Sequence, residues 1–200
     1  MNKTRLEAFS DGVLAIIITI MVLELKMPHD TSWEAIKSVF PSFGSYVLSF
    51  IFIGIYWGNH HHLLHATNRV TAKMIWANLA LLFCLSLVPP FTAWMADTNF
   101  DPVPVAIYGA LLCACGVAFT ILAQIVVASR PSDKEEIIKA FRRSQTKGKI
   151  STAAYLLAIP LAFVNPMISC FLFIATSFMW IIPDRDVENF VVQRNQAKND

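Results

Sequence analysis

Residues 5–25 read RLEAFSDGVLAIIITIMVLEL, a stretch that is apolar enough to enter a membrane. Its first turns carry an arginine and an aspartate six residues apart, Arg5 and Asp11, and a lone threonine, Thr19, interrupts a row of isoleucines. A helix needs about 20 mainly apolar residues to cross the hydrocarbon core of a bilayer. The stretch therefore predicts a membrane-spanning helix that starts with charge and continues as branched hydrocarbon.

The composition of the whole chain supports a membrane protein. Hydrophobic residues make up 56% of the 200 residues, and charged residues only 15%, whereas soluble domains average about 25% charged. The charges lie in short clusters between long apolar runs. Backbone polar groups in lipid must pair within the protein, so these runs are expected to be helices. The predicted fold class is an all-α membrane protein.

The clusters of charge divide the chain into six predicted spans. The last two share one apolar run, and the Asn165-Pro166 dipeptide is the turn signal between them. Each of these two spans is short for a full crossing, about 24 Å of helix. A polar linker at residues 130–149 precedes them and is able to hold a short amphipathic helix. We predict spans at residues 7–25, 43–65, 71–96, 103–129, 150–165 and 167–182.

The distribution of Lys and Arg sets the orientation, because cytoplasmic loops carry an excess of them. With both termini cytoplasmic, fourteen of the sixteen basic residues fall on the cytoplasmic side, and only Lys26 and Lys37 lie outside. We therefore expect a multi-pass protein of the cytoplasmic membrane. The net charge of +2 is explained by this topology, and no nucleic-acid partner is expected.

The first predicted helix has two different sides. At about 100° per residue, Thr19, Ile20 and Leu23 lie within about 60° of Ile16 and form one stripe. Asp11 lies about 140° away from Ile16. From periodicity alone, such a stripe faces lipid, a neighbouring helix or a pore.

Polar side chains of the first three spans are expected to share one layer near the cytoplasmic side. A carboxylate at that depth is costly unless it is paired, and imidazole, indole, amide and guanidinium groups are suitable donors. The expected role is to lock three helices together, although Asp11 or a histidine is also able to sense protons. The layer comprises Arg5, Ser10, Asp11, Trp57, Asn59, His60, His61, Trp76 and Asn78.

The residues also leave two other classes of protein open, a transporter and an enzyme. His61 and His65 have the i, i+4 spacing that suits zinc, which leaves a metal-ion or proton-coupled transporter using the cluster from His60 to His65 as the alternative. Ser10 and Asp11 beside histidines are a weak signal for an enzyme, because a serine at a helix start is more often a cap. No nucleotide-binding motif occurs, and we expect no enzyme, no metal site and no cofactor.

The motif Arg5-x-x-x-Phe9-Ser10-Asp11 resembles the R-x-x-x-F-S-D signature of the transmembrane-protein-175 potassium channels. The resemblance continues through GVLAIIITIMVLEL, through the segment from Trp57 to His61, and from Asn78 to the end of the third span. The length is similar to that of the single-repeat prokaryotic branch. Potassium channels usually carry a TVGYG filter loop, and this sequence contains none, so the resemblance implies an unconventional channel without that loop.

The resemblance implies a homotetrameric cation channel in the lipid bilayer with modest preference for potassium over sodium. In the family the first helix of each subunit lines the pore, and the apolar constriction corresponds to Ile16, with further rings at Ile20 and Leu23. Thr19 matches a position that contributes to ion preference in some members. The motif residues, including Phe9, hold this helix in place. Glu24 is expected near the outer mouth, where it either concentrates cations or is simply a solvated loop carboxylate.

Overall fold

The computed structural model describes residues 2–181 except 29, 68, 130–134, 136–137 and 140–141. In that part of the chain the backbone forms α-helices and one short 3₁₀ turn, and contains no strand. This confirms the prediction of an all-α fold. The helices are α1 (Lys3–Ile20), α2 (Trp33–His65), α3 (Ala72–Ser86), α4 (Val88–Asp97), α5 (Pro102–Ala128), α6 (Arg142–Ala162) and α7 (Pro166–Ile181).

The first helix begins at a capping residue and ends in a tighter turn. The Asn2 side chain accepts a hydrogen bond from the Arg5 backbone N–H at 2.9 Å, which satisfies one of the free donors of the first turn. At its other end α1 tightens into the 3₁₀ turn Met21–Glu24. The backbone becomes extended at Leu25, so the apolar rod stops where the next charged cluster begins.

The second helix is longer than any single crossing requires. The Ser32 side chain caps α2 by accepting from the Ala35 N–H at 3.2 Å. The helix then runs for 33 residues through Pro41 to His65, about 50 Å at 1.5 Å per residue. Its first ten residues lie outside the span predicted at 43–65. Hydropathy locates the apolar part of a helix that lies in lipid, and a helix can continue beyond that part.

The third span is broken into α3 and α4 at Leu87. Pro89 and Pro90 lie in the first turn of α4, where the missing N–H groups of proline cost little. The Thr92 hydroxyl donates to the Val88 carbonyl at 2.7 Å, which adds a side-chain bond to the first turn of α4. The helix is interrupted at this point, and the chain is helical on both sides of the break.

The core is built around α5, which packs against α3, α4, α6 and α7. Tyr108 on α5 is 1% exposed and its ring meets that of Phe173 on α7 edge to face, with centroids 5.4 Å apart. Gly109 is the close-approach position, because a Cβ there would lie 3.2 Å from the Phe173 ring. The absence of a side chain at Gly109 lets α5 and α7 come together.

Four stretches of the described residues are long and apolar enough to cross a membrane: Lys3–Glu24, Trp33–His65, Ala72–Asp97 and Pro102–Ala128. The last helix, α7, is apolar but has only 16 residues. Helix α6 begins at Arg142, inside the predicted linker, so the backbone stays helical beyond its apolar part. The rest of the linker before Arg142 is largely outside the described residues, as are position 182 and the C-terminal segment.

Candidate pore helix and its polar contacts

Helix α1 has one buried side and one exposed side. The buried residues recur at helical spacing and pack against the bundle: Leu6, Ser10, Leu14 and Ile17. On the opposite side, the three apolar positions of the predicted stripe are open: Ile16 is 58% exposed, Ile20 43% and Leu23 78%. The stripe is therefore not part of the core of a single chain. A pore axis, lipid or a second copy has to cover it.

Thr19 lies in the same exposed stripe, and its hydroxyl hydrogen is already used. The Oγ1 atom donates to the carbonyls of Ala15 and Ile16, at 3.0 Å each. The hydroxyl proton thus points back to the helix, and the oxygen lone pairs face away from it. A threonine held in this way acts as a hydrogen-bond acceptor or as a ligand for a cation.

A buried chain of polar side chains joins α1, α2 and α3, and we call it the polar lock (Ser10, His60 and Asn78). All three are at most 1% exposed. The Asn78 amide donates to Ser10 Oγ at 2.9 Å, and Ser10 donates to the Leu6 carbonyl at 2.8 Å. His60 Nε2 lies 2.6 Å from Asn78 Oδ1. Because that oxygen is only an acceptor, His60 carries a proton on Nε2.

Asp11 is held by a separate contact. The indole Nε1 of Trp57 on α2 donates to Asp11 Oδ1 at 3.0 Å. Asp11 is half-buried and Trp57 is 46% exposed, so this pair lies at the edge of the bundle. A carboxylate that accepts from an indole N–H keeps one oxygen free for a further donor.

Within the described residues, the other members of the predicted polar layer, and Phe9 of the motif, make no hydrogen bond to these two groups, although the His61 ring lies 6.2 Å from that of Trp57. Arg5 is exposed, and its side chain has no hydrogen bond to any described residue. Phe9 is 49% and Trp76 72% exposed. Asn59 donates to the Ile55 carbonyl of its own helix at 2.8 Å, and the His61 ring meets that of His65 edge to face, with centroids 4.4 Å apart.

A third contact between α1 and α2 was not anticipated from the sequence. Lys3 Nζ donates to the His65 carbonyl at 3.0 Å and lies 3.6 Å from Glu7 Oε1. The same Glu7 oxygen is 4.0 Å from His65 Nε2. The i, i+4 spacing of Lys3 and Glu7 was a visible signal for an ion pair. No sequence pattern indicated that the C-terminal end of α2 lies beside these two residues.

A buried cluster of hydroxyl groups was missed as well. Ser49 Oγ lies 2.7 Å from Thr92 Oγ1 and 2.8 Å from the Tyr108 hydroxyl, which joins α2, α4 and α5 next to the proline break. Each of these side chains is at most 5% exposed. Isolated hydroxyl residues on three different helices carry no spacing signal that would have linked them.

The histidines of α2 do not assemble a metal site with other described residues. No group of three or more His, Cys, Asp or Glu side chains in the described part of the chain has an arrangement suited to a metal ion. His60 Nε2 is engaged by Asn78, which removes one candidate ligand. The metal-transporter alternative thus lacks a third ligand in this region.

The fold and the site define a class of protein. The chain is a multi-pass helical protein of the cell membrane, and its most organised polar contacts fix one helix whose other side is open and apolar. The family model described as "Endosomal/lysosomal potassium channel TMEM175" matches residues 5–89, from the start of the Arg-Phe-Ser-Asp motif to the proline break.

Full-length relatives extend this match. A protein named potassium channel HX13_20290, from Chryseobacterium sp. (strain P1-3), is 45% identical over 188 residues, which cover 94% of this chain and 97% of that protein. The crystal structure of a "lysosomal potassium-selective channel TMEM175 homolog" from Chamaesiphon minutus superposes with a TM-score of 0.78 at 26% identity, and covers 92% of this chain and 97% of that one. The chain belongs to the TMEM175 family. The family consists of ion channels and not of enzymes.

A more distant relative adds a different cation. The human protein named "Endosomal/lysosomal proton channel TMEM175" is 33% identical over 96 residues, which span 42% of this chain and 19% of that protein. Relatives of this family are thus named for potassium in bacteria and for protons in the human case.

Proposed function

We propose that this chain forms a potassium-preferring cation channel as a homotetramer, in which α1 of each subunit lines a central pore. The observation that carries the proposal is the division of α1 into a polar-locked, buried side and an exposed, apolar side. A potassium channel named in Chryseobacterium shares 45% of aligned residues across nearly the whole chain. The similar structure from Chamaesiphon minutus is also named potassium-selective.

The proposed pore face consists of Ile16, Thr19, Ile20 and Leu23. Four such faces around one axis make stacked apolar rings, with the Ile16 ring as the constriction. A narrow apolar ring closes by dewetting, since water leaves and an ion is unable to follow without dehydrating. Opening then requires a ring just wide enough for a partly hydrated cation. Potassium sheds water more easily than sodium, so the preference is real but modest.

Thr19 supplies the polar element of this pore face. Its proton is held by the backbone carbonyls of Ala15 and Ile16, so four Thr19 oxygens would present lone pairs to the axis. These oxygens replace part of the water that a cation loses next to the Ile16 ring. The four Thr19 oxygens around the axis therefore increase the preference for potassium, which loses its water more easily than sodium does.

The polar lock supports the pore face from behind. Rotation of α1 about its own axis would break the Asn78–Ser10 hydrogen bond and would turn the proposed pore face away from the central axis. Because the lock members are fully buried, an unpaired polar group there costs about 1–3 kcal/mol. The lock thus fixes which side of α1 faces the pore.

The two ends of the bundle differ in charge, which supports the proposed orientation. In the described part of the chain, the end that carries Glu24 and the α4–α5 turn has five carboxylates and only two lysines. The opposite end carries most of the described Lys and Arg residues, including Arg142 and Arg143. With the positive end in the cytoplasm, the Glu24 end is the outer mouth.

The test is a reversal potential measured across bilayers that contain the purified protein, with potassium on one side and sodium on the other. We expect a potential that indicates preferential potassium permeation, without any requirement for a proton or sodium gradient. A strict need for such a coupling gradient, or a zinc-dependent flux lost in His61→Ala with His65→Ala, would support the transporter alternative instead.

A further inference from the structure

A second feature of the molecule lies at the Glu24 end of the proposed pore. The 3₁₀ turn Met21–Glu24 ends there, and the extended backbone at Leu25 directs the chain away from the α1 axis. Lys26 follows at once and forms a hydrogen-bonded ion pair with Asp97, the last residue of α4. The pair connects two segments that are 71 positions apart in the sequence.

These charges share one small cleft with Glu24. Glu24, Lys26 and Asp97 line a space of about 30 Å³ between the end of α1, α2 and α4. Hydrogen bonding to Asp97, with its negative charge, raises the pKa of Lys26, and the Glu24 carboxylate adds to that effect. The three groups therefore act on one another at short range, with one net negative charge per subunit.

The Lys26–Asp97 ion pair is exposed to solvent, and this exposure determines its effect. The side chains of Lys26 and Asp97 are 74% and 47% exposed. Exposed ion pairs contribute little to folding stability. Their field, however, reaches into the water at the mouth over a Debye length, about 10 Å at 0.1 M ionic strength.

We propose that Asp97 sets the charge of the channel mouth by neutralising Lys26, so that Glu24 faces incoming cations without an opposing ammonium group. The inference rests on the proposed pore along α1. Lys26 alone, two residues after Glu24, would cancel the attraction of that carboxylate for cations. Paired with Asp97, it leaves a mouth with a net negative field, which concentrates potassium locally. Asp97 is thus a residue that determines conductance from outside the pore face.

Other charges at this end form a background that the variants leave unchanged. Asp30 is hydrogen-bonded to Ser32, whose N–H and hydroxyl lower the pKa of that carboxyl group. It therefore stays ionised at neutral pH. The remaining charged side chains that the structure describes at this end are exposed: Glu34, Lys37 and Asp101.

The experiment compares single-channel potassium conductance of the wild type, Asp97→Asn, Lys26→Gln and the double variant in bilayers of uncharged lipid. At about 0.01 M potassium, where the Debye length is about 30 Å, we expect Asp97→Asn to lower conductance about twofold. Lys26→Gln should raise it by a similar factor. The double variant, which restores one net negative charge, should return to the wild-type value. At about 1 M salt, all four should agree because the Debye length falls to about 3 Å.

The double variant separates charge from mechanics. If the pair mattered as a clamp between α1 and α4, both single variants and the double variant would be impaired alike, at any salt concentration. That result would overturn the inference while leaving the channel intact, as would four equal conductances at low salt. Glu24→Gln is the matched control and should resemble Asp97→Asn. Absence of potassium conductance in the wild type would instead remove the proposed function, and the inference with it.

Discussion

The side-chain amide of Asn78 on α3 donates a hydrogen bond to Ser10 Oγ on α1 at 2.9 Å, and both residues are completely buried. The bond therefore lies between two helices that are far apart in sequence. It ties the Phe-Ser-Asp motif to the third span, and His60 extends the tie to α2. The Asn78 amide thus links α1 to both α2 and α3.

Replacement of Asn78 by leucine should destabilise the fold. Leucine keeps the volume but removes both hydrogen bonds, so Ser10 and His60 lose a buried partner. We expect a loss of about 1–3 kcal/mol in unfolding free energy, above the roughly 0.6 kcal/mol typical of interhelical hydrogen bonds in membranes. Denaturant titration of the detergent-solubilised protein measures it. Asn59→Leu is the control, because Asn59 bonds only within its own helix, and equal losses would contradict the lock.

Replacement of Ile16 by asparagine should wet the proposed constriction. A polar ring holds water where an isoleucine ring expels it, so we expect a larger resting leak and a smaller preference for potassium over sodium. Reversal potentials and basal flux from liposomes measure both. Ile121→Asn is the matched control, since Ile121 is an isoleucine of α5 with 47% exposure that lies outside the proposed pore face. Unchanged conductance and ion preference in Ile16→Asn would exclude Ile16 as the gate.

Replacement of Thr19 by valine should lower potassium preference while leaving the pore diameter almost unchanged. Valine has the same shape but no oxygen to replace lost water. The reversal potential under a potassium–sodium gradient should move toward zero. Thr120→Val is the control, because Thr120 is also exposed and makes the same kind of hydroxyl bond, to the Gly116 carbonyl at 2.8 Å. An identical shift in both variants would mean that the threonine oxygen has no special place at the axis.

A cysteine at position 23 tests whether this position lies near the shared axis of the proposed tetramer. In a background without the four native cysteines, Leu23→Cys should form disulfide-linked dimers under mild oxidation, because four copies approach the same axis. Val164→Cys provides the comparison, as Val164 is 77% exposed and Leu23 78%, and both lie at the same end of the bundle. Gel electrophoresis without reductant shows the products. Equal yields of cross-linked dimer would place position 23 away from any shared axis.

The sequence predicted the class of fold because hydropathy and charge act over whole segments. It also predicted that Ser10, His60 and Asn78 lie at one depth, since their distances from the span ends are similar. It did not predict their partners. Pairing depends on how each helix is rotated about its own axis, and side chains at one depth on adjacent helices point in many directions. For this reason Asp11 meets Trp57, whereas Arg5 meets no described side chain.

The proline break and the hydroxyl cluster show a different limit. Pro89 and Pro90 fall within one continuous predicted span, because an apolar run of this length satisfies the bilayer whether or not the helix is interrupted. The meeting of Ser49, Thr92 and Tyr108 depends on the packing of three helices. No local pattern encodes it. The pore assignment of Ile16 and its neighbours remains a prediction that rests on the family and on exposure.

The length of α2 has a consequence for the surroundings of the pore. A rod of about 50 Å would fit within about 30 Å of hydrocarbon only at a tilt of roughly 53°, and transmembrane helices rarely exceed about 40°. Part of α2 therefore rises past the acyl chains, and its first turn carries Trp33 and Glu34. In the proposed tetramer, this extension of α2 would stand beside the outer mouth, so the composition of the surrounding leaflet should have little influence on ion entry.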